Sequence, residues 1–349
     1  MKTGAILLAI VLAAAPLAAQ VSTPPTRLAQ SVESVKSAPS VASSAELARS
    51  GETPEQIHDA TGHWPCEEFA PGDIITPHIT DSHCLEVPSF PKIWEPHEVV
   101  LPRWKPIVIG HTAIDLSPTK HVVMLLFAAF LCCVVLIGAA RSHVKHTAEV
   151  GRPKTFASGI EAMVLFIRQE VALKNLGHHG EGYVPLILCL FFFILFANLL
   201  GLIPFGSTAT GNISVTATLA ILTFFVVEFA GIRAQGPAYL NTIFYWNTEL
   251  PLVMRIPMFV IMTPIEIVGK LTKPFALAIR LFANMTAGHI VVLALIGLIF
   301  TFQSYFIGIA PALMAVAIMM LELFVAFLQA FIFALLASVF IGQIREGAH

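Results

Sequence analysis

The sequence predicts an all-α polytopic membrane protein of about five crossings, with two long, steeply tilted C-terminal helices and an exported N-terminal extension. Three observations predict it. Of 349 residues, 56% are hydrophobic and only 12% are charged, about half the charge of a soluble domain. Apolar runs near the roughly 20 residues that a helical span needs recur behind residue 120. The charge is also lopsided: residues 1–120 hold 13 of the 22 acidic residues, whereas 177–349 hold six acidic and six basic ones. This composition excludes a disordered chain, a nucleic-acid binder and an ordinary cytosolic enzyme. The formal net charge of −2 gives no reason to expect a polyanionic partner.

Residues 1–20 (MKTGAILLAIVLAAAPLAAQ) have a basic head at Lys2, an apolar core and a small-residue end at Ala18-Ala19. That is the pattern of a secretory signal peptide, with an uncleaved anchor helix as the alternative. Residues 21–55, rich in Ser, Ala, Pro and Thr without an apolar period, read as a flexible tether. Residues 56–118 add Trp64, Phe69, Phe90, Trp94 and Trp104 among many prolines, enough for a small capping structure. The exported extension therefore covers 21–118. In it, Cys66 and Cys84 suit a disulfide or two unpaired thiols, with a metal site involving His63 and His83 as the remote alternative.

The membrane-embedded domain runs from 119 to 349. Residues 121–140 form a first span, 183–203 a second, and 212–232 a third that carries one acid, Glu228. Pro204 to Gly211 is the turn between the last two. The loop 141–176 holds Arg141, Lys145, Arg152, Lys154, Arg168 and Lys174, so the positive-inside rule makes it cytoplasmic. Within it, Phe156, Ile160, Met163, Val164, Ile167 and Val171 repeat at helical spacing opposite Glu161, Arg168 and Lys174. This predicts one amphipathic helix on the inner membrane surface. Residues 250–307 and 311–341 are too long for perpendicular spans and read as two tilted helices. Counting them as crossings puts the C-terminus in the cytoplasm.

Chemistry concentrates in the last hundred residues. Arg280 stands in an apolar helix, where a guanidinium keeps its charge and costs about 2.5 to 17 kcal/mol at the bilayer centre. It must face a partner or water; snorkelling to an interface is the structural alternative. Asn284 lies one turn on, on the same face, and His289 nine residues on, roughly opposite. Glu322 is the single charge of an apolar run, and Gln329 follows at i+7. Glu322 with His289 would make a proton-exchanging pair reached by water. Glu266 is explained about equally well by an ion pair with Lys270 at i+4. No Gly-rich phosphate loop, HExxH or Ser/His pair is present, so the chain alone is not expected to carry catalytic chemistry, a cofactor or a metal.

At these residues the sequence resembles subunit a of the F-type ATP synthase, through KPFALAIRLFANMTAGH at 273–289 and ELFVAFLQAFIF at 322–333. The resemblance covers roughly residues 120–349. It implies a stationary proton channel of two offset half-channels, serving carboxylates on a rotating c-subunit ring. Arg280 then matches the family's essential arginine, Asn284 and Gln329 its polar channel residues, and Glu266 the acid of the cytoplasmic half-channel. His289 and Glu322 match the exchanging pair of the outer half-channel, in the order histidine then glutamate. The resemblance also implies peripheral-stalk b subunits and the rest of the synthase as partners, and a multi-pass chain in the bacterial inner membrane with its extension periplasmic. The long exported front departs from the short N-terminus of many members. A proton-coupled secondary transporter is the second reading; it predicts internal repeats, and the two halves show no self-similarity.

Overall fold

A computed structural model describes residues 82, 84–88, 96–102, 107–109, 112–114, 117–146, 156–177, 180–203, 208–239, 251–302 and 305–346. The expected signal segment, the tether and Cys66 lie outside the described residues. Ahead of the membrane domain, β1 (Cys84–Pro88) pairs antiparallel with β2 (Pro96–Val100), Cys84 opposite Val100. A second hairpin joins β3 (Ile107–Ile109) to β4 (Thr112–Ile114). The sequence pointed only to a small cap here. Prolines interrupt any alternating pattern, and in β1 and β2 they sit at strand ends, where a missing N–H is tolerated.

Five helices among the described residues are long and apolar enough to cross a membrane. They are α1 (Lys120–His146), α4 (Val184–Gly201), α5 (Ile213–Gln235), α6 (Leu252–Phe302) and α7 (Tyr305–Glu346). Helices satisfy their own backbone groups, which lipid cannot do for them. That also explains two boundary differences. α1 runs six residues past the expected span, to His146, because leaving the apolar layer does not require a helix to end. α7 begins at Tyr305, ahead of the expected start at 311, so Pro311 lies inside it rather than at its first position; near a helix start a proline removes one ladder bond without stopping the helix. The 51 residues of α6 extend about 75 Å, more than twice the hydrocarbon thickness.

α4 is the core. It is apolar on every face, as a buried helix should be, and Ile187, Leu190, Phe192, Phe193 and Ile194 are fully buried. α1 and α7 pack against it, while α5 lies against α6 and α7. The expected amphipathic segment begins as α2 (Phe156–Phe166), passes through a π-helical turn (Ile167–Leu173) and ends in α3 (Lys174–Leu176). Its predicted stripe faces the bundle: Ile160, Ile167 and Val171 are buried, and only Phe156 of the stripe is left exposed.

A tight backbone joint lies between α7 and α3. A Cβ on Gly342 would lie 1.9 Å from the Asn175 carbonyl oxygen, a backbone atom that cannot swing aside. Gly342→Ala is therefore expected to cost about 1–3 kcal/mol. Thermal unfolding of the detergent-solubilised variant should begin several degrees lower, and an unchanged curve would show that the joint relaxes freely.

Candidate functional site: two polar clusters and a lone arginine

α6 carries Glu266, Arg280, Asn284 and His289, and α7 carries Glu322 and Gln329. The structure sorts five of these six into three places, and Gln329 is buried two turns beyond Glu322. His289 and Glu322 come together, Arg280 and Asn284 lie on the chain's outer face, and Glu266 lies near the other end of α6.

The first cluster forms where α6 and α7 meet α4 and the turn before α5. His289 Nδ1 lies 3.6 Å from Glu322 Oε1, and His289 Nε2 lies 2.5 Å from Thr208 Oγ1. Glu322 is 6% exposed, and its Oε1 has no hydrogen-bond partner among the described residues. A buried acceptor in that state calls for a partner that the neighbouring side chains do not supply. The approach depends on Gly288, where a Cβ would lie 1.9 Å from Glu322 Oε1. Alongside, Thr210 Oγ1 donates to Asn198 Oδ1 at 2.8 Å, and Asn198 Nδ2 donates to the Ala326 carbonyl at 3.3 Å. Gln329, two turns beyond Glu322 on α7, is also buried.

The second cluster lies at the opposite end of the helices. There a cavity of about 70 Å³ is lined by Glu228 of α5, by Glu266, Lys270 and Lys273 of α6, and by Phe340 of α7. Lys270 does not pair with Glu266 as its i+4 spacing allowed. Its Nζ lies 3.6 Å from Glu228 and donates to the Tyr239 hydroxyl at 2.7 Å. The Tyr239 hydroxyl in turn donates to Glu228. Tyr239 sits in a short helical turn, Gly236–Tyr239, beyond the end of α5. Burial first, and then the Glu228 carboxylate, push its phenol well above the usual tyrosine range. A partner on another helix wins over the i+4 neighbour: Lys270 is mostly buried against Glu228 of α5, while Glu266 is exposed at the cavity's edge. Glu266 has no ion pair or hydrogen bond among the described residues.

Arg280 stands between the clusters. It is exposed on the isolated chain and makes no ion pair or hydrogen bond among the described residues. Its surroundings are not those of a solvated surface: Phe275 and Ile279 are exposed nearby on α6, and Ala276, Ala283 and Ala287 are exposed along the same side as Arg280. At 1.5 Å per residue, Glu266 is about 21 Å behind Arg280 along α6 and His289 about 13 Å ahead. His289 turns inward while Arg280 turns outward, the opposition that nine residues of helix predict.

Sequence reasoning passed over Asn198, Thr208, Thr210, Tyr239 and the partner of Lys270. Asn198 left a signal as the lone amide of an apolar span; the threonines left none, since turns are rich in such residues. Among the described residues no group of three or more His, Cys, Asp or Glu is placed to hold a metal. His63, Cys66 and His83 of the sequence-level alternative lie outside them, as does any pairing of Cys84 with Cys66.

Fold and site together define a multi-pass helical membrane protein that keeps ionisable groups inside its spans. The chain belongs to the ATP synthase A chain family, whose profile matches residues 121–342. It is 44% identical over 285 residues to ATP synthase subunit a 2 of Chlorobaculum tepidum, covering 81% of this chain and 76% of that protein. It is 45% identical over 267 residues to ATP synthase subunit a of Chloroherpeton thalassium, covering 76% and 74%. A subunit a from an Anaeromyxobacter species is 40% identical over 316 residues, covering 84% and 75%.

Proposed function

We propose that the chain is the stationary proton-conducting subunit of a rotary F-type ATP synthase, passing protons through two offset half-channels to and from the carboxylates of a c-subunit ring. The observation that carries this reading is Arg280, exposed among apolar residues between two polar clusters that lie on either side of it along α6. A charge there is tolerable only if something anionic or wet meets it. The alanines beside it let another helix approach closely.

A proton enters from the outside through Asn198, Thr208, Thr210, His289, Glu322 and Gln329, with Asn284 near the ring. It neutralises a ring carboxylate, which can then turn through lipid without the cost of a buried charge. After nearly a revolution that carboxylate reaches the inner half-channel, near Glu266 and the Glu228–Lys270 pair, and gives the proton up. Arg280 favours the ionised carboxylate and repels protons from a direct crossing. Each charge moved through 100 mV yields about 2.3 kcal/mol, which the ring turns into torque. Peripheral-stalk b subunits hold the chain still.

The basic loop 141–176 supports a Glu266 end at the cytoplasmic side of a bacterial inner membrane and a His289 end at the periplasmic side. The C-terminus is then cytoplasmic. The extension 21–118, freed of a signal peptide 1–20, lies outside, ahead of the membrane-embedded domain 119–349. A tagged chain extracted in mild detergent should bring down a c ring and a peripheral stalk in fixed stoichiometry. Recovery of the chain alone under conditions that keep the synthase intact would overturn the proposal.

A further inference from the structure

We infer that the chain holds the headgroup of an anionic phospholipid in a cavity between the ends of α4, α5 and α7. The inference does not depend on proton conduction, only on the chain being embedded in a membrane. The cavity is about 500 Å³, within the range of small-ligand sites, and its lining includes Gly182, Tyr183, Phe229, Arg233 and Arg345. No acidic side chain is among its described lining residues. Two guanidiniums from different helices thus converge on one space, and their planar forks suit the oxygens of a phosphodiester.

Arg345 is held at the cavity wall. Its Nη1 donates to the Leu176 carbonyl at 3.5 Å, and its guanidinium lies 5.6 Å from the centre of the Tyr183 ring. Arg233 closes the last turn of α5 and is exposed, with no ion pair among the described residues.

Position and shape favour a lipid over a free anion. The three candidate spans, Glu181–Gly201, Ile213–Gln235 and Gly308–Arg345, all reach their ends here, at the depth where headgroups lie. Phe229 at the rim is 60% exposed, and Phe225 and Ile232 continue the same outward apolar surface. A phosphate on the arginines leaves an acyl chain lying along those side chains. Basic pockets between spans recognise anionic headgroups in this way.

The test uses the chain in its intact membrane complex, purified in detergent and stripped of loosely held lipid. It is offered phosphatidylglycerol, phosphatidylcholine or inorganic phosphate, and retained lipid is counted by native mass spectrometry. The wild type should keep one more phosphatidylglycerol per chain than Arg233→Gln, whose apparent affinity at that site falls about ten- to hundredfold, the size of a lost charge-assisted contact. Phosphatidylcholine should not fill the site. Arg345→Gln should behave likewise; if it does not fold, Arg233→Gln decides alone, because Arg233 is exposed. Equal retention by wild type and Arg233→Gln, equal filling by phosphatidylcholine, or displacement of the lipid by an equal concentration of inorganic phosphate would each overturn the inference.

Discussion

Membranes carrying Arg280→Ala are expected to make no ATP from an imposed proton gradient. At about 4 Å and an effective dielectric near 20, a guanidinium and a carboxylate attract by about 4 kcal/mol, and losing that is roughly three orders of magnitude in rate. In the proposed mechanism no other described cation replaces it. Lys273, two turns back, has its Nζ 4.9 Å from the centre of the Phe340 ring of α7, and Lys270 is paired with Glu228. The same substitution should raise the passive proton leak, because the fixed positive charge between the two clusters is gone. Both quantities can be read in inverted vesicles, ATP synthesis from one and quenching of a pH-sensitive dye from the other. Normal synthesis in the alanine variant would remove Arg280 from the mechanism. Lost synthesis without a leak would leave its attractive role and end its role as a barrier.

The spans were legible because lipid imposes a crude rule on composition, and that rule is visible in a single sequence. α4 and α5 fall within a few residues of the expected 183–203 and 212–232. Ends were less legible. α1 continues to His146 on residues that look like a loop by polarity alone, and helical backbone does not register polarity. The hairpins of 84–114 left no usable pattern, since their strands are three to five residues long and flanked by prolines.

For the site, rarity was the useful signal. Arg280, Glu322 and His289 stand out because charges and imidazoles are costly in apolar helices, and helical periodicity alone opposes His289 to Arg280. What periodicity cannot supply is the partner on another helix. Thr208 is 81 positions from His289, and Glu228 is 42 from Lys270 by their numbering. The i+4 reading of Glu266 with Lys270 failed for this reason: it weighed only neighbours on one helix, and the packing of α5 against α6 supplied a better-buried acceptor.

Glu322→Gln should lower proton conduction by at least about a hundredfold, the lower bound for removing a positioned acid–base group, while leaving assembly with the ring intact. The amide fills the same volume but cannot take up and release a proton, so packing is conserved and exchange is not. A second variant tests the geometry without touching an ionisable group. Gly288→Ala puts a methyl where Glu322 Oε1 now lies, and the carboxylate must swing away from His289. Its path out is a rotation of a flexible side chain rather than a shift of backbone, so the fold should survive with conduction well below wild type. Passive proton conduction through the membrane sector, normalised to co-purified ring, measures both. If Gly288→Ala conducts normally while Glu322→Gln does not, the carboxylate works without its histidine neighbour, and the pair is an accident of packing. If both conduct normally, proton entry runs elsewhere. A fall in both, with assembly unchanged, is the outcome that a water-accessible His289–Glu322 exchange site requires.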